Sequence, residues 1–279
     1  MSRHVLTVTC PSKRDIVAAV ASYLARMGCN ITDCAQFDAQ ETGRFFMRMS
    51  FVSEEGRSLS DIEQGFADIA ERFEMDSDFH DEATRMKVII MVSRFGHCLN
   101  DLLYRWRIGA LPIDIVAVIS NHLDYQKLVV NHDIPFHYIK VTKENKAEAE
   151  AQQMRIIAET GAELIVLARY MQVLSDEMCR KMSGRIINIH HSFLPSFKGA
   201  NPYKQAFERG VKLIGATSHY VTADLDEGPI IEQETARVTH AQSIDDYVAL
   251  GRDVESVVPA RAIHANSQQR VILNGDPTV

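Results

Sequence analysis

The stretch Asp81-Glu82-Ala83-Thr84-Arg85-Met86-Lys87-Val88-Ile89-Ile90-Met91-Val92 decides how this chain folds. It opens on polar residues and closes on an unbroken apolar run. A strand with one face in water alternates polar and apolar residues, whereas a strand covered on both faces reads as continuously apolar. Residues 88–92 therefore predict a strand in the middle of a doubly covered sheet. The polar residues ahead of them predict a boundary, with one domain over 1–84 and a second over 85–279. A length of 279 residues leaves room for both.

Upstream of the boundary the elements are short and change type quickly. Residues 4–10 alternate like a strand and stop at Pro11. Ile16, Val20, Leu24 and Met27 then recur at helical spacing until Gly28. Residues 29–38 and 44–52 read as two strands joined through Glu41-Thr42-Gly43. A second helix follows, capped by Ser58 or Ser60, with Leu59, Ile62, Phe66, Ile69 and Phe73 on one face. Residues 75–80 add a last strand, and the order βαββαβ is the ferredoxin-like one. Downstream the units lengthen: helix 97–108, strand 113–120, helix 123–132, strand 136–141, helix 143–160, strand 164–168. This predicts a Rossmann-like, mostly parallel α/β sheet, which places ligands at the carboxyl ends of its strands. A C-terminal helix with Ile244, Tyr247, Val248, Gly251, Val254 and Val258 on its apolar face is expected to pack on that sheet.

Composition narrows the function classes. An apolar share of 46% with 24% charged residues excludes a disordered chain or a small disulfide scaffold. Thirty basic against 37 acidic residues, and no long basic run, argue against nucleic acid as a main ligand. No apolar stretch approaches the ~18 residues of a membrane span. Met1-Ser2-Arg3-His4 leads straight into Val5-Leu6-Thr7-Val8, which is too short and too alternating for a signal peptide. Cys10, Cys29, Cys34, Cys98 and Cys179 are scattered, odd in number and without a C-x-x-C. They predict buried thiols in a reducing cytoplasm, not disulfides or a zinc site.

Two segments carry candidate chemistry. In Arg185-Ile186-Ile187-Asn188-Ile189-His190-His191-Ser192-Phe193-Leu194-Pro195, Asn188 and His190 are two apart on a strand and project together near its end. An amide donor beside an imidazole can hold an oxyanion and deliver a proton. On their own the two residues read equally well as polar groups satisfied by backbone. In the second segment a strand ends near Val221, an acidic loop carries Asp224, Asp226 and Glu227, and Gly228-Pro229 turns the chain into another strand. Asp226 can approach His190 from that loop and fix its orientation. Sequence spacing equally fits a solvated turn.

Asn188-x-His190, the following Ser192-x-Leu194-Pro195, and His219…Asp226-x-Gly228-Pro229 together resemble the folate-dependent formyltransferase superfamily, and within it the branch that gives the formyl group to water. The likeness covers nearly the whole chain. Thr42-Gly43-Arg44-Phe45-Phe46-Met47-Arg48 sits in what looks like an ACT domain, and residues 93–103 and 167–175 are equally characteristic. The resemblance implies Asn188, His190 and Asp226 as the catalytic trio. It implies a pterin pocket lined by Tyr170, Met171, Gln172, Val173 and Leu174, with Val221 and Thr222 on the other side. Without it, Met171, Val173 and Leu174 read as core. His191 stands where many relatives have proline and is assigned a structural role. His219 is a weaker candidate for orienting Asp226, and His122, His132, His240 and His264 are read as surface or satisfied residues.

The implied reaction is hydrolysis of 10-formyltetrahydrofolate to formate and tetrahydrofolate. Formate would then supply purine synthesis and the step would balance the one-carbon pool. Asp226 positions and deprotonates the water, directly or through His190, while Asn188 and protonated His190 hold the oxyanion. No cofactor beyond the folate substrate is implied, no metal, no membrane and no nucleic acid. A cytoplasmic homo-oligomer is implied, because ACT domains commonly bind small amino acids between paired copies. In that family the loop before the first helix usually carries glycine, and here it reads Cys10-Pro11-Ser12-Lys13-Arg14-Asp15. Asp15 is expected to cap the helix and to crowd an effector's carboxylate, which would weaken or alter amino-acid regulation. Two other readings stay open. One is formyl transfer to an amine such as glycinamide ribonucleotide, although Ser93-Arg94-Phe95-Gly96-His97-Cys98 has a single glycine and makes a poor phosphate cradle beyond what Arg94 offers. The other is an amino-acid-sensing module with a vestigial enzyme half.

Overall fold

The computed structural model describes residues 2–193 and 202–279. The chain divides into two compact units: Met1–Arg85 with Gln268–Ile272 and Val279, and Met86–Ser267 with Leu273–Thr278. The return of residues 268–272 to the first unit corrects the sequence reading, which left them with the second. Arg48 explains part of it, since its Nε donates to the carbonyl of Gln268 at 3.0 Å.

The first unit runs β1 (Arg3–Pro11), α1 (Ile16–Arg26), β2 (Cys29–Ala39), β3 (Arg44–Ser53), α2 (Leu59–Phe73) and β4 (Asp76–Asp81). Its antiparallel sheet has the order β2-β3-β1-β4. Leu6, Val8, Met49 and Phe51 from the strands meet Val20, Leu24, Ile62 and Phe66 from the helices in one buried cluster. Ser58, in extended conformation, caps α2 by accepting the N–H of Asp61. Asp15 does not do the same for α1. It occupies the cap position with a left-handed backbone (φ 70°), and its side chain makes no capping hydrogen bond. A capping side chain needs an extended backbone to reach the first free N–H groups. Cys34 is a second departure: it is exposed on the edge strand β2, while the other four thiols are buried.

The second unit continues with β5 (Met86–Val92), α3 (His97–Arg107), β6 (Ile113–Ser120), α4 (Gln126–Val130), β7 (Phe136–Tyr138), α5 (Lys146–Thr160), β8 (Leu164–Leu167), α6 (Asp176–Lys181), β9 (Ile186–His190), α7 (Pro202–Glu208), β10 (Leu213–Tyr220), β11 (Ile230–Arg237) and α8 (Ile244–Ser267). The sheet order is β11-β10-β9-β8-β5-β6-β7. It is parallel from β7 through β9 and antiparallel at β10 and β11. Val88, Ile89, Ile90, Met91 and Val92 are all fully buried, as their unbroken apolar run requires. From β5 the chain moves outward through β6 and β7, then crosses to the other side for β8 and β9. The carboxyl ends of β5 and β8 therefore flank the switch point at which open α/β sheets bind ligands.

Two elements are shorter than their sequence patterns suggest. β7 stops at Tyr138 because Asn145 closes a turn behind it, its amide donating to the carbonyl of Lys140 and its oxygen accepting from the N–H of Thr142. α4 is held to Gln126–Val130, and Asp133 just beyond it takes a left-handed backbone (φ 59°). Long α8 contains Pro259, which has no N–H to offer the carbonyl four residues back. That carbonyl belongs to Glu255, and the thiol of Cys98 on α3 donates to it at 3.2 Å. Among the described residues no helix is long and apolar enough to cross a membrane.

Candidate active site

Antiparallel pairing of β9 with β10 sets His219 opposite Asn188 and Thr217 opposite His190. Alternate residues share a face of a sheet, so Asn188, His190 and His219 form one patch. Nδ1 of His219 lies 2.8 Å from the carbonyl of Tyr220. A carbonyl only accepts, so Nδ1 carries the proton, and in the neutral ring Nε2 is an acceptor. Nδ2 of Asn188 sits 3.2 Å from it and donates one amide N–H. Among the described residues nothing accepts the other N–H of that amide.

Asp226 enters from the loop between β10 and β11 with a left-handed backbone (φ 58°). Its Oδ1 is 3.2 Å from Nδ1 of His190 and 3.7 Å from Nε2 of His219. The imidazole of His190, and after it that of His219, hold its carboxyl well below the usual carboxylate range, against the upward pull of burial. Gly228 makes this loop possible. A Cβ there would lie 1.8 Å from the carbonyl oxygen of Tyr220, and the N–H of Tyr220 in turn donates to the carbonyl of Pro229. The remaining ring nitrogen of His190 is 3.0 Å from the hydroxyl of Ser192.

The facing wall follows β8. Ser93, at the end of β5, pins it: its N–H donates to the carbonyl of Arg169 and its hydroxyl accepts the N–H of Met171 while donating to Asn121. Tyr170 turns its ring into the core, where Gln153 donates to the phenol and burial pushes its pKa up to about 12. Leu174 is buried too. Met171 and Val173 are not core: they are 52% and 60% exposed, an unusual state for apolar side chains beside a cleft.

Between these walls lies a cleft of about 270 Å³, near the lower end of the range of small-molecule sites. Asn188, His190 and Asp226 line it, as do Tyr170, Met171, Gln172, Val173 and Leu174 on one side and Val221 and Thr222 on the other. Every residue assigned to catalysis or to the pterin pocket thus borders one space, Tyr170 with its ring turned away into the core. His219, Arg169, His191 and Leu225 line it as well. Asp15 stands in the first unit. Leu194 and Pro195, part of the sequence motif, lie outside the described residues.

Beside the cleft, Glu255 is buried within α8. It accepts from Nε2 of His97 at 2.7 Å and from the hydroxyl of Tyr203 at 2.5 Å, with Nε of Arg169 at 3.4 Å. Burial alone would raise its pKa, but His97, Arg169 and Tyr203 outweigh it and the carboxyl is lowered. His97, Cys98 and Glu255 are the one trio of metal-type ligands gathered closely among the described residues. They do not suit a cation. Burial and the charge of Glu255 drive the Cys98 thiol strongly upward, and a guanidinium already faces the carboxylate.

The family model for formyl transferases matches residues 86–263. The formyltetrahydrofolate deformylase of Corynebacterium sp. (strain P-1) is 48% identical over 278 residues, covering 99% of this chain and 97% of that protein. The crystal structure of the formyltetrahydrofolate deformylase of Burkholderia mallei matches with a TM-score of 0.96 and 50% identity, over 100% of this chain and 99% of that one. A glycinamide ribonucleotide transformylase from Symbiobacterium toebii matches at 27% identity with a TM-score of 0.66, over 72% of this chain and 95% of its own.

Proposed function

The chain belongs to the formyl transferase family, among its formyltetrahydrofolate deformylases, and from that premise we propose that it hydrolyses 10-formyltetrahydrofolate with Asn188, His190 and Asp226 as the reacting groups. The observation that carries the reading is the 3.2 Å contact of Asp226 with His190 at one end of the cleft, beside the free amide N–H of Asn188.

A formyl group on N10 is an amide, so its carbon resists water and its nitrogen leaves poorly. Asp226 is too weak a base to hold a proton from water itself, because two histidines hold its charge. It orients the water and stabilises positive charge on His190, which takes the proton. Water oxygen then bonds to the formyl carbon. The resulting oxyanion receives the N–H of Asn188 and the charge of His190, each worth about 3 kcal/mol in comparable sites. His190 returns its proton to N10, the C–N10 bond breaks, and tetrahydrofolate leaves. The formic acid left behind ionises to formate. Exposed Met171, Val173 and Leu225 supply an apolar slot for the fused ring.

An amine acceptor bearing a phosphate is less well served. Gly96, the single glycine of the loop after β5, packs under Tyr125, where a Cβ would meet the ring at 2.2 Å. Tyr125 also donates to the carbonyl of Arg94. That glycine makes room for a tyrosine rather than for a phosphate.

The first unit, with its βαββαβ order and β2-β3-β1-β4 sheet, supports an ACT-type domain that joins copies of the chain and binds an amino acid weakly because of Asp15. The unpaired thiols fit a cytoplasmic enzyme whose formate feeds purine synthesis. The test is formate release from 10-formyltetrahydrofolate without any amine, by wild type and by Asp226→Asn. Release by wild type alone supports the reading. Release that needs an added amine would turn it into a transferase.

A further inference from the structure

Arg169 has no part in the reaction as described, yet its placement is demanding. It follows β8 with a left-handed backbone (φ 63°), which bulky side chains rarely adopt. Its side chain is 10% exposed and lies over the ring of Phe95 at 5.5 Å. Among the described residues, its buried Nε and Nη1 have no hydrogen-bond partner. Oε2 of Glu255 forms an ion pair with Nε at 3.4 Å, but no hydrogen bond joins them, and His97 and Tyr203 already donate to that carboxylate. Buried guanidinium N–H groups without an acceptor are unfavourable, which points to an acceptor that comes and goes.

Arg169 lines the catalytic cleft and also a second cavity of about 650 Å³, and Met171 and His191 line both as well. These three side chains form the wall the two spaces share. The second cavity adds Lys204 and Arg252, with Glu255 as the one carboxylate among the described residues that line it; Lys204 also pairs with Glu208 at 3.8 Å. Burial and the charge of Arg169 lower the pKa of His191 to about 4, so that ring stays neutral near pH 7. The excess of positive charge suits a small anion, and a planar guanidinium holds a carboxylate through two parallel N–H bonds.

Deformylation makes a small carboxylate in the adjoining cleft. We infer that Arg169 is a formate-binding site, taking the product from the cleft and releasing it through the second cavity. This rests on the deformylase reading above.

The probe is ¹³C-formate, titrated by NMR into folate-free wild type, Arg169→Gln and Arg169→Lys, with melting curves recorded for each. Saturable binding by wild type is expected, weakened roughly tenfold or more in Arg169→Gln and less in Arg169→Lys, as loss of charge-assisted hydrogen bonds implies. A second measurement needs no variant: the Nε–H resonance of Arg169 in ¹⁵N-labelled wild type should move as formate is added. An unmoved resonance overturns the inference, and so does binding that survives unchanged in a folded Arg169→Gln. Inorganic phosphate binding more tightly than formate would overturn the carboxylate assignment. An enzyme that releases formate without binding it loses this inference and keeps the reading; one that releases none loses the reading itself.

Discussion

Asp226 shows at a single residue how geometry sets chemistry. Its left-handed backbone points the carboxylate between two imidazoles, and those contacts lower its pKa. A depressed carboxyl contributes stability above its unfolded value and loses it as pH falls through the folded one, so Asp226 stays charged throughout the neutral range. Asp226→Asn should lower kcat by about 10³-fold or more, while KM for the folate changes little because the pterin slot is intact. Steady-state kinetics within about tenfold of wild type would remove Asp226 from the mechanism. His191 has a linkage of the same sign in a higher window. Its folded pKa is lowered from 6.5 to about 4 by burial and by Arg169, so the unfolded chain binds an extra proton between those values. Stability should therefore fall as pH drops through that window, by up to about 3 kcal/mol, and His191→Gln should flatten the fall in urea melts at pH 7 and pH 4.5. A third residue, Asp15, keeps a positive φ without a capping bond. Asp15→Gly should raise stability by about 0.5–1 kcal/mol, because glycine takes that backbone without steric conflict. Denaturant midpoints decide the sign.

At the scale of elements, the helix pair α3 and α8 and the loop after β10 each depend on one unusual residue. Pro259 leaves the carbonyl of Glu255 without its helical partner, and Cys98 supplies one from α3. Cys98→Ala should destabilise the protein by about 1–3 kcal/mol, the cost of a buried unsatisfied carbonyl plus a small void. In a Pro259→Ala background, where residue 259 regains an N–H, the same change should cost less, and equal costs in a double-mutant cycle would refute the link. Gly228→Ala meets backbone at 1.8 Å, so the Asp226 loop must move; formate release should drop at least as far as in Asp226→Asn. These elements also show what a sequence can disclose. The strand over 186–190 is legible because Ile186, Ile187 and Ile189 are β-branched and apolar, and the alternation of Asn188 and His190 follows from it. The partnership of Asn188 with His219 is not legible, because it depends on the register of β9 against β10, and nothing local in either strand fixes that pairing. Glu255 is hidden for another reason: one acid among Val254, Val258 and their neighbours gives no signal until His97 and Tyr203 arrive from distant segments.

For the whole molecule, the informative feature is the reversal of strand order around β5. The unbroken apolar run at 88–92 discloses a doubly covered strand and hence an α/β sheet; the resemblance then names the residues at its carboxyl edge. Arg169 escapes both, since an arginine after a strand reads as a surface residue until its burial is seen. The return of residues 268–272 to the first unit escapes them too, because contacts such as the hydrogen bond from Arg48 to the Gln268 carbonyl join residues 220 positions apart. All the residues lining the cleft come from the second unit, and this gives a global expectation. A ligand present at about 100 times its Kd stabilises the state it binds by about 2.7 kcal/mol. Hydrogen exchange with and without tetrahydrofolate should therefore show added protection at residues 169–174 and 219–228, the two walls that meet around the pterin. Residues of β5, whose amides already sit in the sheet's centre, should gain little at short exchange times, because local openings there are rare. Protection concentrated instead in Met1–Arg85 would mean that the folate binds elsewhere, and the cleft at the carboxyl ends of β8 and β9 would lose its claim as the active site.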